Sequence, residues 1–325
     1  MTENNNIKSL TKNLSSALRK HFCKNYNIPI KIFEDPYFTD RCILLNEVFG
    51  VEDKLQEYVF DVSTYGNEQD FLEADNKIMQ SIIDFLKSND KMIYFSQKED
   101  MNQFAVPERY RNISSKDVWR DSCVDKVFLS IDLKKANFQA SKYYSNDIFD
   151  GAKTWEEFVN KFTHDRSKIN SKHLRQVIFG CVNPKRQTIL EKYLMCKILE
   201  RIGPIISNED IYSLCTDEIV IDVGEKFVSQ LGTLISFIKG QIKTLGFDCH
   251  INLFSVEKIG KDMYKQVFIG GFSDDSGFTY KKVNHLMMPF VIRKERGEEP
   301  IDSDYVFKNE SGQLCRFLKN PLIKT

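Results

Sequence analysis

The chain of 325 residues lacks a long apolar run, and no stretch approaches the ~20 residues that a transmembrane helix needs. Its first residues, MTENNN, are polar, so the apolar core of a secretory signal is missing. These two absences predict an intracellular, cytoplasmic protein with no membrane partner. A composition rich in Lys, Asn and Ile suits a phage or large virus as well as many bacteria.

Cysteine motifs and an excess of one charge are missing too. The eight cysteines include no C-x-x-C pair and the five histidines are scattered, which argues against a structural zinc site or a disulfide framework. Lys plus Arg and Asp plus Glu both number 46, so the net charge is zero. This balance argues against a protein that simply coats DNA.

The charge is unevenly distributed along the chain. Residues 161–201 contain ten Lys or Arg against three Asp or Glu, whereas residues 51–100 contain five Lys against twelve acids. A basic segment in a neutral protein suits a polyanion held in one cleft, and a solvated helix face is the alternative interpretation.

Apolar periodicity predicts the following elements. Helices are predicted at 7–22, 68–88, 171–202 and 225–246, a buried strand at 127–132, and hairpins at 210–223, 251–272 and the C-terminus. The segments CILLNEVF and LQEYVFDVSTYG fit a strand or a helix equally well. This order predicts an α+β fold with an antiparallel sheet and helices. We expect a mixed, largely helical lobe at 1–124, a catalytic domain at 125–272 with a basic helical insert at 160–203, and a C-terminal hairpin region at 273–325.

Two acids lie where predicted strands end. Asp132 closes the apolar run VFLSI, and Asp217 lies at the hairpin tip in SLCTDEIVIDV. If those strands are neighbours, both carboxylates emerge at one edge of the sheet, where they would bind Mg²⁺ (or Mn²⁺) for phosphoryl transfer. Glu218, next to Asp217, is a third candidate ligand, although alternation turns it to the other face. Helix capping or a turn is the alternative explanation for each acid.

Four blocks of the chain, in order, resemble the palm domain of family B DNA polymerases over about residues 126–271. Asp132 followed by LKKANFQA resembles motif A, and KHLRQVIFG from Lys172 resembles motif B. LCTDE resembles motif C with Asp217 as its second acid, and SVEKIGKDMYKQVFIGG resembles the Lys-Lys-x-Tyr block through Lys265. The resemblance implies a palm-like sheet with helices on one face, and catalysis by Asp132 and Asp217.

The resemblance also implies binding residues. The implied nucleotide-binding residues are Lys172, Arg175, Gln176, Phe179, Asn137 and Phe138, and the implied nucleic-acid contacts are Lys185, Arg186 and Lys265. Core packing is the alternative for Phe138 and Phe179, and a solvated surface cation for Lys172. Lys134 and Lys135 are either phosphate contacts or surface lysines.

The chain departs from the family pattern at several positions. Asn137 stands where the family has its sugar-sensing Tyr, and Cys215 replaces the first acid of motif C. No exonuclease D-x-E motif precedes Asp132. The sequence therefore leaves open the choice of ribo- or deoxyribonucleotide and the need for a template.

We predict a Mg²⁺-dependent nucleotidyltransferase or polymerase that adds nucleotides from nucleoside triphosphates to an RNA or DNA 3′ end and releases pyrophosphate, with or without further protein subunits. One alternative is a catalytically degenerate palm-fold accessory protein that binds nucleic acid or a polymerase partner. A second is a reverse-direction enzyme, because TDEIVI is similar to the S-D-E block of tRNA-His guanylyltransferases, although their Asp-Gly-Arg block is absent. An unrelated α+β interaction protein is the remaining alternative.

Overall fold

The computed structural model describes residues 2–97, 101–182 and 184–322, without the side chains of residues 2–4, 184, 185, 225 and 228. The chain forms two compact units. The first combines Met1–Ile83, Val159–Ile178 and Val283–Thr325, and the second combines Asp84–Phe158 and Phe179–Lys282.

The helices and strands follow one another along the described residues in this order. The helices are α1 (Thr2–Lys12), α2 (Ser16–Asn25), α3 (Tyr37–Phe49), α4 (Val51–Ser63), α5 (Glu68–Ser88), α6 (Asp90–Gln97), α7 (Ala136–Tyr144), α8 (Trp155–Val159), α9 (Arg166–Ile169), α10 (Lys172–Val182), α11 (Pro184–Ile202), α12 (Gly224–Val228), α13 (Leu231–Leu245) and α14 (Met288–Glu295). The strands are β1 (Val127–Leu133), β2 (Ile211–Leu214), β3 (Glu218–Asp222), β4 (Cys249–Gly260), β5 (Met263–Phe268), β6 (Phe278–Lys281), β7 (Val306–Lys308) and β8 (Leu314–Arg316). The predicted α+β class is confirmed.

Local sequence explains where the helices of the N-terminal part break. The predicted helix over 7–22 is two helices, because the Ser15 side chain accepts a hydrogen bond from the Leu18 amide and starts α2 afresh. The ambiguous segments after residue 40 are helical. They are divided at Gly50, whose φ of 56° ends α3 in the left-handed conformation that glycine adopts easily.

The second unit is built on a six-stranded sheet with the order β2-β3-β1-β4-β5-β6, in which every neighbouring pair is antiparallel. β1 lies in the interior and pairs with β3 on one side and β4 on the other. The register places Phe128 opposite Asp222 and Phe254, and it places Asp132 opposite Glu218 and His250. Side chains that face each other across such pairs share one face of the sheet.

The two faces of β1 differ in character. One face carries Leu129, Ile131 and Leu133, all of them buried. α13 lies against β4, and α11 packs against α7 and α13.

The other face of β1 is apolar at one end only. Phe128, Val220 and Phe254 form a buried cluster there with Val118 and Cys123, which come from the segment before β1. Beyond this cluster, towards Asp132, the same face becomes polar.

No helix of the described ranges has the length and apolar character required to cross a bilayer.

In the first unit, buried charges join segments that are distant in the chain. Asp304 is 2% exposed and accepts a hydrogen bond from Arg41 Nη1 of α3 at 3.1 Å. Arg293 Nε of α14 donates to the other carboxylate oxygen, also at 3.1 Å. Arg41 Nη2 additionally donates to the carbonyls of Ser303 and Val306. The buried carboxylate thus has a cation on each side. Its removal leaves Arg41 without this partner, whereas Arg293 keeps its ion pair with Glu298.

Replacing Asp304→Asn is expected to lower the free energy of unfolding by about 3 kcal/mol, because the buried guanidinium of Arg41 loses its ion-pair partner and Arg293 loses one of its two. Asp302→Asn is a matched control two residues away, since Asp302 pairs with Arg316 at the surface and the loss of an exposed ion pair is expected to change the stability far less. Urea denaturation of both variants measures the difference. Equal losses in the two variants would contradict this account of the buried network.

Candidate functional site

A row of three ionisable side chains crosses the polar end of the sheet. Asp132 of β1 lies directly opposite Glu218, the first residue of β3, and directly opposite His250 of β4. Asp132 and Glu218 are half-buried. Because antiparallel partners share a face, the two carboxylates and the imidazole lie on the same side of three adjacent strands. The sequence predicts that Asp132 is paired with Asp217, whereas the strand register places Asp132 opposite Glu218.

Asp217 belongs to the turn between β2 and β3. The amide of Cys215 donates to the carbonyl of Glu218 at 2.8 Å and closes a tight loop with Thr216 and Asp217 at its tip. The Asp217 side chain is exposed, and its carbonyl accepts a hydrogen bond from the Leu133 amide. This bond attaches the turn to the end of β1, at the residue that follows Asp132.

A second polar row lies beside the first, one step further into the sheet. Ser130 and Asn252 face each other, and both are buried. Asn252 Nδ2 donates to Asp275 Oδ2 at 2.7 Å, and the Asp275 amide donates back to Asn252 Oδ1 at 2.9 Å. Asp275 Oδ1 also lies 3.7 Å from His250 Nδ1. The loop that carries Asp275 is thereby held against β4, and it adds a further carboxylate to this end of the sheet.

Crowding of negative charge changes the proton affinity of Glu218. Burial, followed by the charge of Asp132, raises the pKa of Glu218 from 4.5 to about 7. The positive charge of Lys281 acts in the opposite direction, and Asp217 adds a smaller upward contribution. Such a carboxyl is partly protonated near neutral pH, and a nearby cation would favour its ionised form.

A second carboxyl with a raised pKa lies on α11. Glu191 is 9% exposed, and burial together with the charge of Asp217 raises its pKa to about 7. The adjacent turn of α11 contacts the same hairpin, because Lys192 Nζ donates to the Leu214 carbonyl at 2.7 Å. The charge of Asp217 therefore raises the pKa of two carboxyls, the half-buried Glu218 and the buried Glu191.

The carboxylates fit a hard divalent cation by their chemistry. Mg²⁺ is usually held by one or two carboxylates, with water and substrate phosphates completing its coordination. Asp132 and Glu218 supply two carboxylates on one face of the sheet. Within the described residues, no set of three or more His, Cys, Asp or Glu side chains is grouped so as to hold a metal ion by itself. Water and the phosphate oxygens of a substrate would complete the coordination of a cation held by these two carboxylates.

The predicted nucleotide-binding residues are divided between the two units. Lys172, Arg175 and Gln176, on α10, belong to the first unit, whereas Phe179 belongs to the second. Phe179 is 2% exposed and packs on Trp155, with a ring-centroid distance of 5.6 Å. This packing agrees with the core interpretation that the sequence left open for Phe179.

Asn137 and Phe138 lie in the first turn of α7. The Asn137 side chain accepts a hydrogen bond from the Phe138 amide at 2.9 Å. Phe138 is 3% exposed and packs against Phe149, with ring centroids 4.5 Å apart.

The predicted nucleic-acid contacts are dispersed. The side chain of Lys185 lies outside the described residues, and half-buried Arg186 follows it on α11. Lys265 lies on β5, where it faces Glu257 and Tyr280 on the adjacent strands. Its ammonium group stands 4.4 Å from the Phe278 ring centroid, an arrangement typical of a cation–π contact.

Sequence reasoning missed His250, Asn252, Asp275 and Glu191. A signal for the first two was present in CHINLFSV, where His and Asn alternate with apolar residues in a strand that is otherwise buried. Asp275 follows a glycine-containing loop, and Glu191 lies in a helical stripe, so neither stood out from ordinary polar residues.

Comparison of the chain with protein-family models, with curated proteins and with solved structures gave no match.

With divalent metal removed, Glu218→Gln is expected to be more stable than the wild type at about pH 8, and the difference is expected to shrink towards about pH 5. A carboxyl with a folded pKa of about 7 and an ordinary value of 4.5 opposes folding once it ionises. Below pH 4.5 the Glu218 carboxyl is protonated in both the folded and the unfolded state, and the difference in stability between the two proteins vanishes. Denaturant midpoints across this pH range, measured in EDTA, test the expectation.

Glu257→Gln, an exposed change on β4, is the control for this pH series. The denaturant midpoint of this variant should follow that of the wild type at every pH. Mg²⁺ added at about pH 8 should raise the midpoints of the wild type and of Glu257→Gln more than that of Glu218→Gln, because the first two proteins keep both Asp132 and Glu218. Parallel curves for all three proteins would show that Glu218 is not under electrostatic strain.

Proposed function

We propose that this protein is a Mg²⁺-dependent nucleotidyltransferase that adds nucleotides from nucleoside triphosphates to the 3′ end of a nucleic acid and releases pyrophosphate. The observation that carries the proposal is the direct opposition of Asp132 and Glu218 on interior strands of an antiparallel sheet. The resemblance of the surrounding blocks to the family B palm, including Asp132 and Lys265, supports the same function.

Electrostatics support a cation at this position. Two carboxylates are held side by side, and the pKa of Glu218 is raised to about 7 by burial and by Asp132. A divalent ion bound between them would offset that repulsion and would favour the ionised form of both groups. When bound, such an ion lowers the pKa of an attacking hydroxyl and stabilises charge on the transferred phosphoryl group.

The chain's own residues would divide the work as follows. Asp132 and Glu218 would hold the cation, with Asp217 contributing charge from the turn. Lys281, whose charge already acts on Glu218, would lie near the anionic substrate. Asn252, which is hydrogen-bonded to Asp275, and His250 beside it would bound the site on the β4 side. For Lys172 and Arg175, a role as triphosphate contacts stays a prediction from the resemblance.

A binding function without catalysis is the second candidate. It is favoured by one observation, namely that Cys215 stands where the resemblance to the family B palm expects the first acid of motif C. A palm-like domain that has lost catalysis would bind nucleic acid or a polymerase partner through the same sheet.

The test is incorporation of labelled ribo- and deoxyribonucleotides onto short RNA and DNA primers, with and without template, in Mg²⁺ or Mn²⁺. Asp132→Asn and Glu218→Gln are each expected to lower the rate by more than about a hundredfold, because each removes a charged metal ligand. The accepted sugar would show what Asn137 and Phe138 permit.

Asp222→Asn is the matched control, since Asp222 lies on the same strand as Glu218 but at its other end, opposite Phe128. It should keep nearly full activity. Extension that survives both Asp132→Asn and Glu218→Gln would contradict the assignment of the carboxylate pair. Folded wild-type protein that extends no primer under any condition would favour the binding function.

A further inference from the structure

A basic, partly aromatic cavity lies at the end of β1, apart from the carboxylate row. It has a volume of about 310 Å³ and is formed wholly by the second unit. Its walls come from the start of α7, the segment leading into α8, and the turn between α13 and β4. This volume is near the lower end of the roughly 300–1,000 Å³ typical of small-molecule sites.

The charge in the cavity is unbalanced. Four lysines line it, against two acids, which leaves a net charge of +2. Lys134 pairs with Asp248 at 3.2 Å, and Lys135 pairs with Glu156. The lining cations beyond these two pairs are Lys142 and Lys153. The excess positive charge therefore belongs to these two residues, and it suits an anionic ligand.

Lys142 is positioned by the fold. Its Nζ donates to the Lys153 carbonyl at 2.7 Å and lies 5.9 Å from the Phe138 ring centroid. An ammonium group has three donors, so this single bond leaves others for a ligand oxygen. Lys153 itself is exposed at the rim.

One wall of the cavity is an accessible aromatic surface. Tyr143 is 43% exposed, and its ring stands at 68° to that of Phe247 with centroids 6.1 Å apart. Trp155 also lines the cavity, and its fully buried indole Nε1 has no hydrogen-bond partner among the described residues. Aromatic faces beside ammonium groups are the combination that binds a nucleobase together with its phosphate.

The floor of the cavity is held rigidly. Gln139 Nε2 donates to the Asp248 carbonyl at 2.7 Å, and the Asp248 amide donates to Gln139 Oε1 at 3.0 Å. The Lys134 amide donates to the same Asp248 carbonyl at 2.9 Å. These bonds join α7 to the turn before β4, so the backbone that carries the walls of the cavity is held in place before any ligand binds.

We propose that this cavity is a binding site for a single nucleoside phosphate, with Lys142 and Lys153 contacting the phosphate and Tyr143 and Phe247 contacting the base. The volume suits one nucleotide and not a polymer. The site uses none of the carboxylates assigned to catalysis, so the proposal does not depend on the proposed function.

Isothermal titration of the full chain with AMP and ATP in EDTA tests the proposal, with adenosine and inorganic phosphate as partial ligands. AMP is expected to bind more tightly than either partial ligand. The double variant Lys142→Ala/Lys153→Ala is expected to weaken AMP binding by more than about tenfold, since it removes charge-assisted hydrogen bonds. Tyr143→Leu is expected to weaken AMP binding while leaving the weaker binding of phosphate unchanged.

Two controls make the outcome decisive. Lys116→Ala removes an exposed lysine of the same unit that does not line the cavity, and it should leave AMP binding unchanged. Glu218→Gln should also leave AMP binding unchanged in EDTA. Loss of binding in Glu218→Gln with retention in the lysine variant would place the nucleotide at the carboxylate row and overturn the proposal. No binding of AMP or ATP to the folded wild type would overturn it as well, whatever the result of the primer-extension assay.

Discussion

β1 is hydrogen-bonded along both edges, to β3 on one side and to β4 on the other, and this double pairing leaves it no freedom of register. A slip of one residue on either side would turn Leu129 and Ile131 out of the core and bring polar side chains in. The hydrophobic pattern of one face therefore decides which polar residues meet on the other. Asp132 lies between Glu218 and His250 because Leu129 and Ile131 must be buried.

This arrangement concentrates negative charge where the sheet is only half covered. Segment 118–124 buries Phe128 and its neighbours, while the polar end of the same face keeps Asp132 and Glu218 half-buried. Full exposure would screen the two charges, and full burial would drive a proton onto one of them permanently. The intermediate position leaves Glu218 titrating near neutral pH, where a cation, a proton or a lysine can compete for it.

Strong local patterns made several elements predictable. The helix over 68–88 is confirmed as α5, and the strand over 127–132 as β1, because each carries an unbroken apolar period. The identity of the carboxylate opposite Asp132 was not predictable in this way. The two-residue turn closed by the Cys215 amide decides that Glu218, and not Asp217, enters the ladder. Turn length and strand register depend on tertiary pairing, which a single sequence does not contain. The lysine cavity was equally hidden, since its walls come from segments about 100 residues apart.

The Arg41–Asp304 bond has a consequence for how the protein is made. It joins residues 263 positions apart, within a compact unit that also requires Val159–Ile178. During translation the first unit cannot acquire this buried bond until residue 304 has left the ribosome, although its first helices emerge at once. The second unit needs nothing beyond Lys282 and so has all its residues earlier. The helices α1, α3 and α4 can pack on one another early, but α3 must wait for α14 and for the segment around Asp304. That interval is the one in which the surface of α3 that these late segments cover is open to chaperones.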